Sequence, residues 1–160
     1  MRTVCIVLCL LLTSCFESQD SSNWSFDTTK DKITDKESPM AIAHSKSGRG
    51  GFAITCDAKS KGFLKPVVIA DRSLIDSGSP NIFMVRIDSE AAIFSRWKVN
   101  GKVAFLNPID EGVEHLASYI GSGSALVVRM QAIDGHDFDM EFDVHGLQKA
   151  IDWMSAKCGN

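Results

Sequence analysis

A chain of 160 residues is long enough to bury one proper hydrophobic core. With 44% hydrophobic and 23% charged residues it reads as globular, which excludes a disordered tail or a polar linker as its main business. A formal net charge of −3 excludes an overall electrostatic attraction to nucleic acid or acidic lipid.

The amino terminus reads as an export signal. Met1-Arg2-Thr3 carries one positive side chain, and an apolar run follows from Val4 to Leu12. Such a run is far short of the roughly 20 residues a helix needs to cross a hydrocarbon core, but it suits the central region of a secretory signal. It ends in Leu12-Thr13-Ser14-Cys15, which resembles a bacterial lipobox. The resemblance implies a diacylglyceryl group on Cys15, cleavage before it and acylation of the new amino group. Residues 1–14 are then a cleaved lipoprotein signal peptide, and 15–23 the lipid anchor and tether. The alternative is an ordinary secreted protein cut nearby. The serine-rich stretch from Phe16 to Asn23 would hold the rest within roughly 30 Å of the bilayer. Phe16, where retained lipoproteins commonly carry Asp, favours the outer membrane, facing the periplasm.

Residues 24–160 read as a single β-rich domain. Trp24 to Thr28 is a first short strand, Lys30 to Glu37 a charged turn and Pro39 to His44 a weaker strand. Ser45 to Gly51 forms a glycine-rich loop. Strands are expected over Phe52–Asp57, Leu64–Ala70, Asn81–Asp88, Ile93–Val99 and Lys102–Leu106. Asn100-Gly101 is a strong hairpin signal favouring a type I′ turn. Pairing across it sets Trp97 opposite Ala104 and Arg96 opposite Phe105. Both faces of this hairpin then carry an aromatic, so one should be covered or form a contact surface. Glu111 to Ile120 has the spacing of a short helix, stopped by Gly121-Ser122-Gly123-Ser124.

The pattern is clearest at the end of the chain. Ala125 to Ala132 sends Leu126, Val128 and Met130 inward, to be matched by Phe142, Met140 and Phe138 of the last strand. That match needs an odd number of loop residues, which Asp134-Gly135-His136 supplies, because a one-residue slip would invert every side chain. Arg129 is expected opposite Glu141. After Gly146 the period changes, and Leu147, Ala150, Ile151, Met154 and Cys158 share one helical stripe. The fold class is therefore mainly β (α+β): an antiparallel β-sandwich-like domain of 7–9 strands, with a C-terminal helix packed on it and one short internal helix.

Of the five cysteines, signal cleavage removes Cys5 and Cys9, and lipid occupies Cys15. Cys56 and Cys158 remain, an even pair in an oxidising compartment, both pointing toward apolar layers. A disulfide is expected and would contribute on the order of 4 kcal/mol by closing so long a loop. Two buried free thiols and a metal pair are the alternatives, though two cysteines are too few for a structural zinc site.

Chemistry is sparse. Asp134, His136, Asp137, Asp139, Glu141, Asp143 and His145 are dense but lie along one strand, as a ladder rather than a cage. The two glycine-rich loops lack the endings of a phosphate loop or a dinucleotide fingerprint. His44 and His115 have no nucleophile motif beside them. No catalytic residue, cofactor or metal ligand is assigned. Lys46, Arg49, Lys59, Lys61 and Lys65 gather positive charge on loops around the third and fourth strands, and with Trp97 they are the candidate binding residues.

Several spaced pieces together resemble the VasI/TagO family of envelope proteins associated with type VI secretion. They are Trp24, Ile33-Thr34-Asp35, Ile54-Thr55-Cys56, Arg86-Ile87-Asp88, Trp97, Phe105 with Asn107-Pro108, and Phe142-Asp143-Val144-His145-Gly146-Leu147 with Ala150, Ile151 and Cys158. The family usually has Arg where this chain has Thr55. The resemblance implies a small periplasmic accessory domain with a Cys56–Cys158 bridge and no established catalytic residues. The expected function is a non-catalytic, lipid-anchored binding module of the bacterial envelope, reaching the membrane through its lipid and binding an envelope protein or cell-wall component. The alternatives are an immunity or exclusion lipoprotein that inhibits an envelope hydrolase, a ligand-sequestering protein, and a cell-wall enzyme using His115 or the His136–Glu141 cluster.

Overall fold

The computed structural model describes residues 23–30, 32–33, 35, 37–56, 63–106, 118–120 and 123–159. Nine strands form: β1 (Trp24–Lys30), β2 (Glu37–His44), β3 (Gly51–Cys56), β4 (Leu64–Ile69), β5 (Asn81–Ile87), β6 (Ile93–Asn100), β7 (Val103–Leu106), β8 (Ala125–Gln131) and β9 (Asp137–Asp143). The helix α1 (Leu147–Cys158) closes the domain. The expected internal helix is described only at 118–120, which are helical; residues 111–117 lie outside the described residues.

All nine strands belong to one sheet in the order β1-β2-β3-β4-β7-β6-β5-β8-β9, every neighbour antiparallel. Two meanders, β1 to β4 and β5 to β7, are joined so that β7 rather than β5 lies beside β4. The chain between them crosses the strand ends. Its backbone N–H groups at Ala70 and Leu74 donate to Lys102 and Gly101 at the tip of the β6–β7 hairpin, and Ile75 donates to Gln131 at the end of β8.

Alternation gives this sheet one apolar face, and the sheet curls to bury it. Beyond β2, Ser45 bridges Phe142 of β9 and the Lys46 N–H donates to the Glu141 carbonyl at 2.8 Å, so the two ends of one sheet meet. Inside, Phe52 lies 6.0 Å from both Trp24 and Phe142, and Phe83 stacks on Trp97 at 5.9 Å. The concave side of β1 to β4 is covered by α1 through Leu147, Ala150 and Met154, with Phe26 against Trp153 at 5.1 Å. The layers of the core are thus two parts of a single curled sheet plus a helix.

The β8–β9 pairing is the expected one, Leu126 with Phe142, Val128 with Met140 and Met130 with Phe138. That register sets Arg129 opposite Asp139, correcting the assignment to Glu141, which faces Val127. The β6–β7 hairpin is also corrected: Trp97 pairs with Leu106 and Val99 with Ala104. Its loop is Gly101-Lys102, and the positive φ falls on Gly101 alone, as in a type II′ rather than a type I′ turn. The two registers differ by a two-residue slip, which leaves every side chain on the same face, so the apolar pattern does not distinguish them.

Gly50 sits where the sheet folds over. Its φ is 83°, and a Cβ there would run into the Ile69 carbonyl oxygen and approach the Met140 methyl at 2.8 Å. Gly48, with φ 71°, has open space around it. Gly48→Ala is expected to cost about 1–2 kcal/mol, the left-handed backbone penalty alone. Gly50→Ala should cost clearly more, because its Cβ would also force the loop off the Ile69 carbonyl at the end of β4; urea unfolding midpoints of the two variants check the order.

Candidate functional site

Cys56, the last residue of β3, and Cys158, the last of α1, are joined as a disulfide, with Cα atoms 6.1 Å apart. The bond pins the free end of the helix to the middle of the sheet. Both residues are half-buried at the edge of the core.

The described members of the expected cationic set stand at opposite ends of β3. Lys46 and Arg49 lie on the loop between β2 and β3, beside Gly51, whereas Lys65 pairs with Thr55 at the other end of β3. Four residues of extended chain, roughly 13 Å, separate the two ends. Lys46 is engaged by Glu141, whose carboxylate accepts from its ammonium and raises its pKa. Lys59 and Lys61 lie outside the described residues, as does the proposed lipidation residue Cys15.

Trp97 is corrected outright as a binding residue. It is 1% exposed, stacked on Phe83 within the concave core, and touches no solvent surface from which a partner could approach. The outward aromatics of the hairpin are Phe94, 69% exposed, and the half-buried Phe105. The reason is parity: Ser95, Trp97 and Val99 share the face that pairs with Ala104 and Leu106.

The acidic stretch behaves as a ladder. Asp134 and Asp143 cap their own turns, accepting the N–H groups of His136 and His145 at 3.1 and 3.0 Å. Asp139 receives Arg129 in a fork at 2.7 and 2.8 Å, and this guanidinium holds its carboxyl below the ordinary range. Among the described residues no group of three or more His, Cys, Asp and Glu side chains is placed to hold a metal. His44 stands beside Lys46 and Asp143 in an open hollow of about 510 Å³ at the seam of the sheet, where Asn23 donates to Asp143 at 2.6 Å. His115 lies outside the described residues.

Two features escape a reading of the sequence. Asp88, with φ 44°, follows β5 and extends the β5–β8 ladder with its side chain. The N–H groups of Ala125 and Ser124 donate to its carboxylate at 2.8 and 3.1 Å, and the Ser124 hydroxyl donates at 3.1 Å. These donors, Ala125 first, hold the Asp88 carboxyl below its usual range. The only signal in the sequence is an Asp ending one strand and a Gly-Ser loop opening another. The second feature is a shallow hollow of about 150 Å³ on the convex face, lined by Met84, Arg86, Ala92, Val127, Arg129 and Asp139. The β8–β9 hairpin builds it with β5 and the β5–β6 turn, some forty residues earlier, so its residues cannot be grouped from their spacing.

Cys158→Ser is expected to lower unfolding free energy by on the order of 4 kcal/mol, since a 102-residue separation is closed by the bond. Urea unfolding of the variant and of the reduced protein measures it. A depressed carboxylate contributes stability that is present above its unfolded pKa and lost as pH falls through the folded value. For Asp88 that window opens near 3.8 and extends below it. Urea midpoints from pH 6 to pH 2 should therefore fall less steeply in Asp88→Asn than in the wild type.

Compared with known proteins, the chain matches no family model, and neither a curated protein nor a solved structure matches it significantly.

Proposed function

We propose that this chain is a non-catalytic binding module of the bacterial cell envelope, anchored through lipid on Cys15 and facing the periplasm from the outer membrane. The observation that carries the reading is the apolar run ending in Leu12-Thr13-Ser14-Cys15, too short to span a bilayer and placed where a lipobox belongs. The anchor acts by concentration: a chain tethered within roughly 30 Å of a membrane meets other envelope components at far higher local concentration than a diffusing one.

Two further features support it. The pair left after cleavage, Cys56 and Cys158, forms a disulfide, which suits an oxidising compartment. The spaced residues that resemble the VasI/TagO family run through β1, β3, β5, β6, β7, β9 and α1, and that resemblance carries an accessory role beside a type VI secretion machine. A sheet tied to its helix by a cystine suits docking without large rearrangement.

Cys15→Ser is expected to move the protein from the membrane fraction to the soluble periplasmic fraction. In the wild type, mass spectrometry should find a mature chain beginning at a triacylated Cys15. A variant that remains in membranes, or a wild-type chain with an unmodified first residue, would refute the anchor.

A further inference from the structure

We propose that the convex face of β5, β6 and β8 is the surface that holds this protein's partner. The partner is an acidic protein segment that presents a carboxylate beside an apolar side chain. The proposal rests on the binding-module reading above and adds to it the face and the chemistry of the occupant.

The sheet register assembles this surface. Met84 of β5 lies between Phe94 of β6 and Arg129 of β8, and Ile82 lies beside Arg96. The outward positions of the three strands carry Arg86, Arg96, Lys98 and Arg129 and no carboxylate, in a chain whose formal net charge is −3. Positive charge is therefore concentrated here against the sign of the whole molecule. Phe94 and Ile82, 69% and 66% exposed, stand among these guanidinium groups. Single exposed apolar residues are ordinary, but exposed aromatics interleaved with arginine are the composition of interface centres.

The hollow beside this patch, between β5, β8 and β9, sets the scale of the occupant. Its floor is apolar, from Met84, Ala92 and Val127, and its rim carries Arg86, Arg129 and Asp139. At about 150 Å³ it is below the few hundred that small-molecule pockets occupy and matches one side chain. Asp139 grips Arg129 in a fork and so fixes one guanidinium, whereas Arg86 lies near enough to Asp139 to feel its charge but forms no close ion pair among the described residues. A Glu or Asp entering here lays its methylenes on Met84 and Val127 and its carboxylate against Arg86, a planar, geometry-specific pairing. The neighbouring strand β9 turns Asp137, Asp139, Glu141 and Asp143 outward. That acidic border repels a long polyanion or a flat anionic membrane, and it leaves room for a compact acidic segment.

The exported full-length protein in mild detergent serves as the target for a random peptide library displayed on phage. Anchored and unanchored material serve equally, so the outcome does not depend on Cys15. Enriched peptides are expected to place Glu or Asp beside a bulky apolar residue. They should bind Arg86→Glu and Phe94→Ser at least about tenfold more weakly than wild type, and Lys157→Glu on α1 as well as wild type. Replacing the acidic residue of the peptide with Lys should restore binding to Arg86→Glu. Enriched peptides without carboxylates, no enrichment at all, or undiminished binding by Arg86→Glu and Phe94→Ser would each overturn the proposal. Urea midpoints equal to wild type establish that the variants tested are folded.

Discussion

The fold depends on one sheet meeting itself. Nine strands with a single apolar face cannot lie flat in water, because that face would stay exposed. Here the sheet curls until β9 reaches the loop after β2, and Phe142 comes to rest near Phe52. The contact buries large aromatic area between residues ninety positions apart, and each such side chain contributes about 1.5–3 kcal/mol on burial. Gly50 lets the loop after β2 lie against the end of β4, since a side chain there would collide with the Ile69 carbonyl.

The curl leaves the concave side of β1 to β4 to be closed, and α1 closes it. The helix buries Leu147, Ala150 and Met154, and its far end is tied by the Cys56–Cys158 bond. An amphipathic helix of twelve residues is marginal alone, so packing and covalent attachment decide its place. At the same end of the fold, Asp88 caps the β5–β8 ladder with its own carboxylate, which keeps the last rung from fraying.

The convex side of β5, β6 and β8 stays open to solvent, since the concave side is filled. Its character changes across the sheet: four cations on β5, β6 and β8 stand beside four carboxylates on β9. The Arg129–Asp139 fork marks the border between the two zones. An exposed pair of this kind adds little to stability, and its larger effect is to hold one guanidinium still. The loop cations behave differently, for Lys46 is engaged by Glu141 at the seam.

Local features were legible in the chain alone. Alternation through Phe138, Met140 and Phe142 specified an inward face, the odd loop parity specified its pairing with β8, and the helical stripe placed Cys158 inward. The tertiary structure decided what alternation does not encode. A period of two names a face but not a neighbour, so β7 rather than β5 beside β4 could not be read from the chain. Nor could the hairpin register, because a slip of two residues keeps every side chain on its side. Trp97 went inward and Phe94 outward because β6 had to match Leu106 and Ala104 across the sheet, and that choice was made by burial over many strands at once.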